Sequence, residues 1–320
     1  MSPTTKPHRI DVHHHIMPAD YVNAAKGHGT ADAGGVAYPE WSPELALAAM
    51  DKHGIATAMV SMPAPGVWFG DDAQARELGR RWNESVAALV HKYPTRFGGL
   101  ATLPLPDVEG SLREIAYALD VLNLDGISML TSIDGRYLGD PMFDPIFDEL
   151  NRRKAVIFLH PNTPANNGEL KLDLPAALVE FTFDTTRAVA NLIYSGTMER
   201  CPDLKIILPH AGGTVPYLAG RLGFGEWSPT LRARAPKGAL AYLKRFYFET
   251  AVAATPPALA ALREIAEPDR ILFGSDYPFL PDAVIGKEVD GVSTWWSAEP
   301  AQLAAVERTN ALKLFPRLAA

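Results

Sequence analysis

Residues 9–18 read RIDVHHHIMP. A short run of strand character, Arg9 to Val12, feeds directly into three histidines. The run is continuous rather than alternating in polarity, as a strand covered on both faces of a parallel sheet must be. The turn after it separates the two common folds built on such strands. An open doubly wound sheet that holds a dinucleotide carries glycines in its first strand-to-helix turn. Here that turn is His13-His14-His15. The stretch therefore points to an α/β fold of the (β/α)8 TIM-barrel type, with the doubly wound sheet as runner-up.

The rest of the chain repeats the pattern. Seven more apolar runs follow, at Ala56–Ser61, Phe97–Leu103, Gly126–Leu130, Ala155–His160, Lys205–His210, Arg245–Glu249 and Arg270–Ser275. Helical patterns lie between them, at Glu44–His53, Ala73–Lys92, Ser111–Asn123, Phe143–Arg153, Asp184–Arg200, Pro257–Ile265 and Ala301–Leu314. Ser111 and Asp184 are cap-capable openings, and Gly54 and Pro94 are stops. Eight alternations without a linker predict one barrel domain over residues 1–320. Residues 16–43 form an insertion after strand one. It contains AAKGHGTADAGG, reads as flexible, and in a barrel would lie over the site as a lid.

Composition narrows the function. Hydrophobic residues are 47% and charged residues 21%, a globular balance. Lys and Arg number 30 against 37 Asp and Glu, a net charge of −7. An acidic surface argues against nucleic acid and anionic membranes as partners. No apolar run approaches the length of a spanning helix, and MSPTTKPHRIDV lacks the apolar core of a secretory signal, so a cytoplasmic location is expected. The single cysteine, Cys201, can form neither an internal disulfide nor a Cys-rich zinc site.

The histidines carry the chemistry. His13 and His15 follow strand one, His160 ends strand five, His210 ends strand six, and Asp276 follows strand eight in LFGSDYPF. All lie where a barrel assembles its active site. Two residues apart on a strand, His13 and His15 point the same way, about 6.5 Å apart, while His14 points away. With His160 and Asp276 they make three imidazoles and a carboxylate. That set suits one divalent ion, Zn²⁺ first, with Mn²⁺, Fe²⁺ or Co²⁺ as alternatives. Singly these residues have ordinary explanations: His160 as a core histidine, Asp276 as a helix cap. Their joint placement at four strand ends does not. His8, His28, His53 and His91 fall in loops or on helix surfaces and are set aside. Ser275 lacks the second glycine of a nucleophile elbow.

IDVHHHIMP, IFLHP, ILPHAGG followed by PYLAGR, and ILFGSDYPF together resemble the amidohydrolase superfamily. More narrowly they resemble its amidohydrolase-2 branch, typified by aminocarboxymuconate-semialdehyde decarboxylase and including the resorcylate, carboxyvanillate and 6-methylsalicylate decarboxylases. The stretch from Trp41 to Gly66 is most similar to the 6-methylsalicylate members. The resemblance implies His13, His15, His160 and Asp276 as metal ligands. His210 would be the unliganded histidine that polarises water or takes part in proton transfer. Arg221 would be an arginine that reaches into the neighbouring subunit's site, which implies a homodimer. No lysine stands at the end of strand four, so the resemblance implies one metal rather than two. The arginines that the semialdehyde decarboxylase carries in its first helix are missing from Leu45–Ala49.

A substrate with one carboxylate and an apolar body follows from that absence, with Trp68, Phe69 and Phe279, and also Phe181 and Phe183, as candidate walls around an aromatic ring. The expected activity is non-oxidative decarboxylation of a hydroxybenzoate-type acid, with His210 and Asp276 as the catalytic pair. Hydrolysis of an amide, ester or lactone by the same ligands is the alternative. A barrel that binds without turnover would leave His210 with no task.

Overall fold

The computed structural model describes residues 8–319. Residues 1–7, which include most of the stretch read for a secretory signal, and Ala320 lie outside the described residues. Eight parallel strands follow one another in chain order around one sheet: β1 Arg9–His15, β2 Ile55–Ser61, β3 Phe97–Thr102, β4 Gly126–Leu130, β5 Val156–His160, β6 Lys205–Leu208, β7 Tyr247–Glu249 and β8 Ile271–Leu272. The chain beyond β8 runs along β1 and closes the ring. Val12 N donates to Phe273 O, Asp276 N to His13 O, and His15 N to Tyr277 O at 2.7 Å. This is the TIM barrel, and the doubly wound alternative is excluded.

Each apolar run forms a strand because both faces are covered. Ile10, Val12, Met59, Leu100, Val156, Phe158, Ile207 and Leu272 fill the barrel interior, and Ala311, Leu314 and Phe315 of the last helix pack against them as a plug. Glu307, before that helix, accepts from Arg9 Nε at 2.8 Å and ties the plug to β1. An outer layer between strands and helices is anchored by buried aromatics such as Trp82, Phe97, Phe147 and Phe246. Full burial of each such side chain contributes about 1.5–3 kcal/mol.

Strand β1 departs from simple alternation. Asp11 pairs with Ala58 and His14 with Val60, so three steps on β1 match two on β2. The extra residue is a β-bulge. It leaves Val12 in the interior and still turns His13 and His15 inward, while His14 faces out against Tyr277, its ring stacked at 4.6 Å.

Several helix ends differ from expectation. The helix placed at Ser111 starts earlier, at Val108, because Asp107 caps it by accepting from Gly110 N at 2.9 Å. Asp184 opens nothing: the helix runs Ala176–Tyr194, and Asp184 sits mid-helix with its buried carboxylate accepting from Tyr137 Oη at 2.7 Å and Asn162 N at 2.9 Å. A cap-capable residue was there spent on tertiary hydrogen bonds. Helices Val215–Leu222 and Asp282–Trp295 were not expected.

The insertion after β1 is folded. It forms a helix, Ala19–Gly27, and a hairpin, Asp32–Ala33 against Val36–Ala37. Tyr21 donates to Gly66 O at 3.0 Å, and Ala177 N donates to Gly34 O at 2.9 Å. The glycines read as flexibility serve the turn instead. Gly34 and Gly35 have φ of +62° and +88°, and a Cβ on Gly34 would lie 2.5 Å from the Phe181 ring.

Candidate active site

Three imidazoles meet at the mouth of the barrel. The rings of His13 and His15 are 4.9 Å apart, and those of His15 and His160 also 4.9 Å. Each ring spends its Nδ1–H outward: His13 on Glu249 Oε1 at 2.9 Å, His15 on Ser61 O at 3.0 Å, His160 on Pro161 O at 2.8 Å. Two of the acceptors are backbone carbonyls, so on His15 and His160 Nδ1 carries the hydrogen and Nε2 the lone pair, and an ionised Glu249 sets the same arrangement on His13. The Nε2 atoms of His13 and His15 then face each other at 3.0 Å. Asp276 Oδ1 adds an anionic oxygen 3.3 Å from one and 3.4 Å from the other. One donor atom from each of His13, His15, His160 and Asp276 lies within 4.8 Å of all the others. Acceptors crowded this closely repel unless a cation sits among them, and a nitrogen-rich set with one carboxylate suits a divalent transition ion. The residues present therefore fit a metal.

Protonation states agree with that fit. Burial holds the His13 and His160 imidazoles well below their usual range, so both are neutral. Burial alone would raise the Asp276 carboxyl; the neighbouring His13, His15 and His210 imidazoles act the other way and hold it well below its usual range. His210 stands beside the cluster, its Nε2 3.6 Å from Asp276 Oδ2 and its ring 5.1 Å from His13. His210, Ala211, Val252 and Asp276 all have φ between +52° and +56°, a conformation that costs a residue with Cβ about 1–2 kcal/mol. Strain of this kind concentrates at functional sites, and here it lies at the ends of β6, β7 and β8.

Two buried carboxylates brace the cluster, and neither was singled out from the sequence. Asp11 accepts from His13 N at 3.1 Å, His14 Nδ1 at 3.0 Å, Ser275 N at 3.0 Å and Ser275 Oγ at 2.5 Å. It thereby stitches the β1 bulge to the segment bearing Asp276. Glu249 ends β7 and is fully buried. Burial pushes its carboxyl well above the usual range, against backbone N–H groups that pull the other way. Its position at a barrel strand end, in RFYFET, is the signal that could have found it.

The cluster opens into a cavity of about 570 Å³, bordered by His160, His210 and Asp276. Phe181, Leu178, Val252 and Phe279 form apolar walls, and Ala33 and Val36 of the insertion hairpin lie at its edge. Among the described residues that line it, none is Lys or Arg. Phe279 stands where expected, its ring 5.5 Å from His15. Trp68 and Phe69 do not: they line a separate cavity of about 380 Å³ with Ser128 and Asn162. Phe69 stacks on His28 at 4.8 Å, and Trp68 Nε1 donates to Asp72. Phe183 is 40% exposed and lines neither. Arg221 is exposed on the helix Val215–Leu222 and does not border the cavity of its own chain.

Comparison with known proteins agrees with this geometry. The family model described as amidohydrolase matches residues 10–317. The chain is 38% identical to decarboxylase yanB of Aspergillus niger, over 97% of this chain and 88% of that protein. It is 35% identical to the 6-methylsalicylic acid decarboxylase of Penicillium expansum, over 97% of each. The crystal structure of 5-carboxyvanillate decarboxylase from Novosphingobium aromaticivorans, complexed with manganese and 4-hydroxy-3-methoxy-5-nitrobenzoic acid, superposes with a TM-score of 0.87 at 27% identity, covering 99% of this chain and 97% of that one.

Proposed function

This chain belongs to the amidohydrolase family, and we propose that it is a metal-dependent, non-oxidative decarboxylase of a small aromatic acid of the hydroxybenzoate type. The observation that carries this reading is the floor of the 570 Å³ cavity, where His160, Asp276 and His210 border the space and His13 and His15 converge on the same point behind them, under walls that are almost wholly apolar. Such a chamber suits an aromatic ring carrying one carboxylate. The naming of its relatives as decarboxylases favours this chemistry over hydrolysis.

One divalent ion per chain, zinc or manganese, held by His13, His15, His160 and Asp276, would supply Lewis acidity and a template for the carboxylate and ortho-hydroxyl oxygens. The chain's own residues do the rest. His210 Nε2 and Asp276 Oδ2, 3.6 Å apart, hold and deliver the proton that the carboxylate-bearing ring carbon gains. The bond to the carboxylate carbon then breaks, its electron pair restores the ring, and CO₂ leaves. Phe181 and Phe279 hold the ring flat against the donors and exclude water. The insertion of residues 16–43 acts as the lid of a single barrel domain, with Ala33 and Val36 of its hairpin at the cavity edge in support.

The cavity lacks a cation of its own, and Arg221 has no ion-pair or hydrogen-bond partner among the described residues. Tyr217, one turn before it on the same helix, is 87% exposed, and Phe224 and Trp227 just after the helix stack on each other at the surface, 55% and 80% exposed, a surface of the kind that subunits cover. These features support a homodimer in which Arg221 crosses to the partner's site and binds the substrate carboxylate.

The test is CO₂ release from ortho-hydroxybenzoates by zinc- or manganese-loaded protein. His210→Asn and Asp276→Asn should each abolish it with metal still bound. Full activity in either variant overturns the assignment, and turnover of lactones or amides without CO₂ release puts the hydrolase in its place.

A further inference from the structure

We propose that Glu249 is a positioning residue whose single carboxylate locks the ring of His13 and the backbone of His210 to one another. The inference rests on the reading of His13 as a metal ligand and His210 as the proton-transfer group. Oε1 of Glu249 accepts both from His13 Nδ1 at 2.9 Å and from His210 N at 2.6 Å. Oε2 accepts from Ala251 N at 2.5 Å. One oxygen thus fixes two elements that must stay in register: the imidazole edge facing the ion, and the base of the side chain that moves the proton.

Three further observations separate this from simple core filling. First, Glu249 is 0% exposed, and its only ion-pair contact among the described residues is His13. A buried carboxylate with no Lys or Arg beside it is costly. A divalent ion held by His13 would supply the missing positive charge one imidazole away, and the carboxylate would in turn make that imidazole a better donor. Second, the chain at His210 enters four successive positive-φ residues, His210 to Gly213. The bond from His210 N anchors the start of that left-handed turn. Third, a Cβ on Gly274 would fall 1.9 Å from Glu249 Oε2. The glycine two residues before Asp276 therefore exists to make room for this carboxylate. Glu249 touches the ends of β1, β6 and β8 at once. The acceptors for His15 and His160 are backbone carbonyls that each hold one ring only.

The experiment uses zinc-loaded full-length protein. Long-range proton–nitrogen spectra of the histidine rings should show His13 in the wild type protonated at Nδ1. A His13 that carries its proton elsewhere overturns the proposal before any variant is made. Glu249→Gln and Glu249→Asp should each bind zinc roughly 10–100-fold more weakly in competition with a chelating dye. In the same variants, saturated with zinc, kcat should fall while KM stays within twofold, because His210 shifts and the cavity walls do not. His160, held by Pro161 O, should keep its ring signals unchanged. Zinc affinity within twofold of wild type in a folded variant of either kind refutes the role. If neither variant folds, the wild-type spectrum decides. Wild-type protein that binds zinc, loses affinity in these variants and yet releases no CO₂ would sink the decarboxylase reading and leave Glu249 standing.

Discussion

Removing the divalent ion should lower the thermal midpoint of this barrel by several degrees. The donors come from β1, from β5 and from the segment after β8, and the unfolded chain cannot bring them together. Binding energy is then folding energy. With free ion at a hundred times its dissociation constant, the added stability is about 2.7 kcal/mol. An unfolding entropy of about 2.1 cal/mol/K per residue, over 320 residues, gives about 0.7 kcal/mol/K and so a rise of about 4 °C. Each further tenfold in ion concentration should add about 2 °C. Calorimetric melts in chelator and in graded manganese or zinc measure this directly, with His160→Ala as control. The bare cluster explains the sign: two lone pairs at 3.0 Å and an ionised carboxylate at 3.3 Å repel until a cation enters. A midpoint that ignores both ions, or that rises equally in His160→Ala, refutes the assignment of these four residues as ligands.

Acid should destabilise the metal-free protein beginning near pH 6.5. His13 and His160 stay neutral when folded because of burial, while the unfolded chain protonates them; stability present above the unfolded value is lost at about 1.4 kcal/mol per pH unit per group as pH falls, until the lower folded values are reached. Denaturant melts between pH 7.5 and 5.5 should show that slope, and a flat profile would contradict it. Gly213→Ala should destabilise by about 3 kcal/mol or more, since φ is +64° and the new Cβ would meet Thr182 O at 2.3 Å; a melting midpoint equal to wild type would show that the turn can relax. Mixing inactive Arg221→Ala with inactive His210→Asn should restore activity, because a hybrid dimer would own one complete site. No recovery after verified subunit exchange would place Arg221's action within its own chain. Ser42→Ala should cost about 1 kcal/mol, measured by denaturant unfolding, because its side chain caps the helix Pro43–Lys52 at Leu45 N.

What could be read in advance followed the physics of burial. Strands covered on both sides must be apolar throughout, so all eight stood out as runs. Polar residues at their ends stood out for the same reason, which is how His13, His15, His160, His210 and Asp276 were found together. The bulge in β1 left no such trace, because an extra residue in a strand changes pairing and not composition. Asp11 and Glu249 were overlooked because a lone carboxylate in or at the end of an apolar run looks like an edge, and the donors that give each its bracing role, Ser275 for Asp11 and His13 and His210 for Glu249, come from remote parts of the chain. Trp68 and Phe69 misled because closeness to a strand end does not say which side of the rim a loop descends.

The roof hairpin at residues 32–37 has an implication for how such chambers diversify. It leans on the Ala176–Tyr194 helix through Gly34 and presents Ala33 and Val36 to the cavity, while the ligand imidazoles are braced by Glu249, Ser61 and Pro161, none of them in the hairpin. Ceiling and hearth are thus independent parts. Exchanging those two small residues for bulkier or hydroxylated ones would retune which ring substituents enter, and the ion below would not register the change.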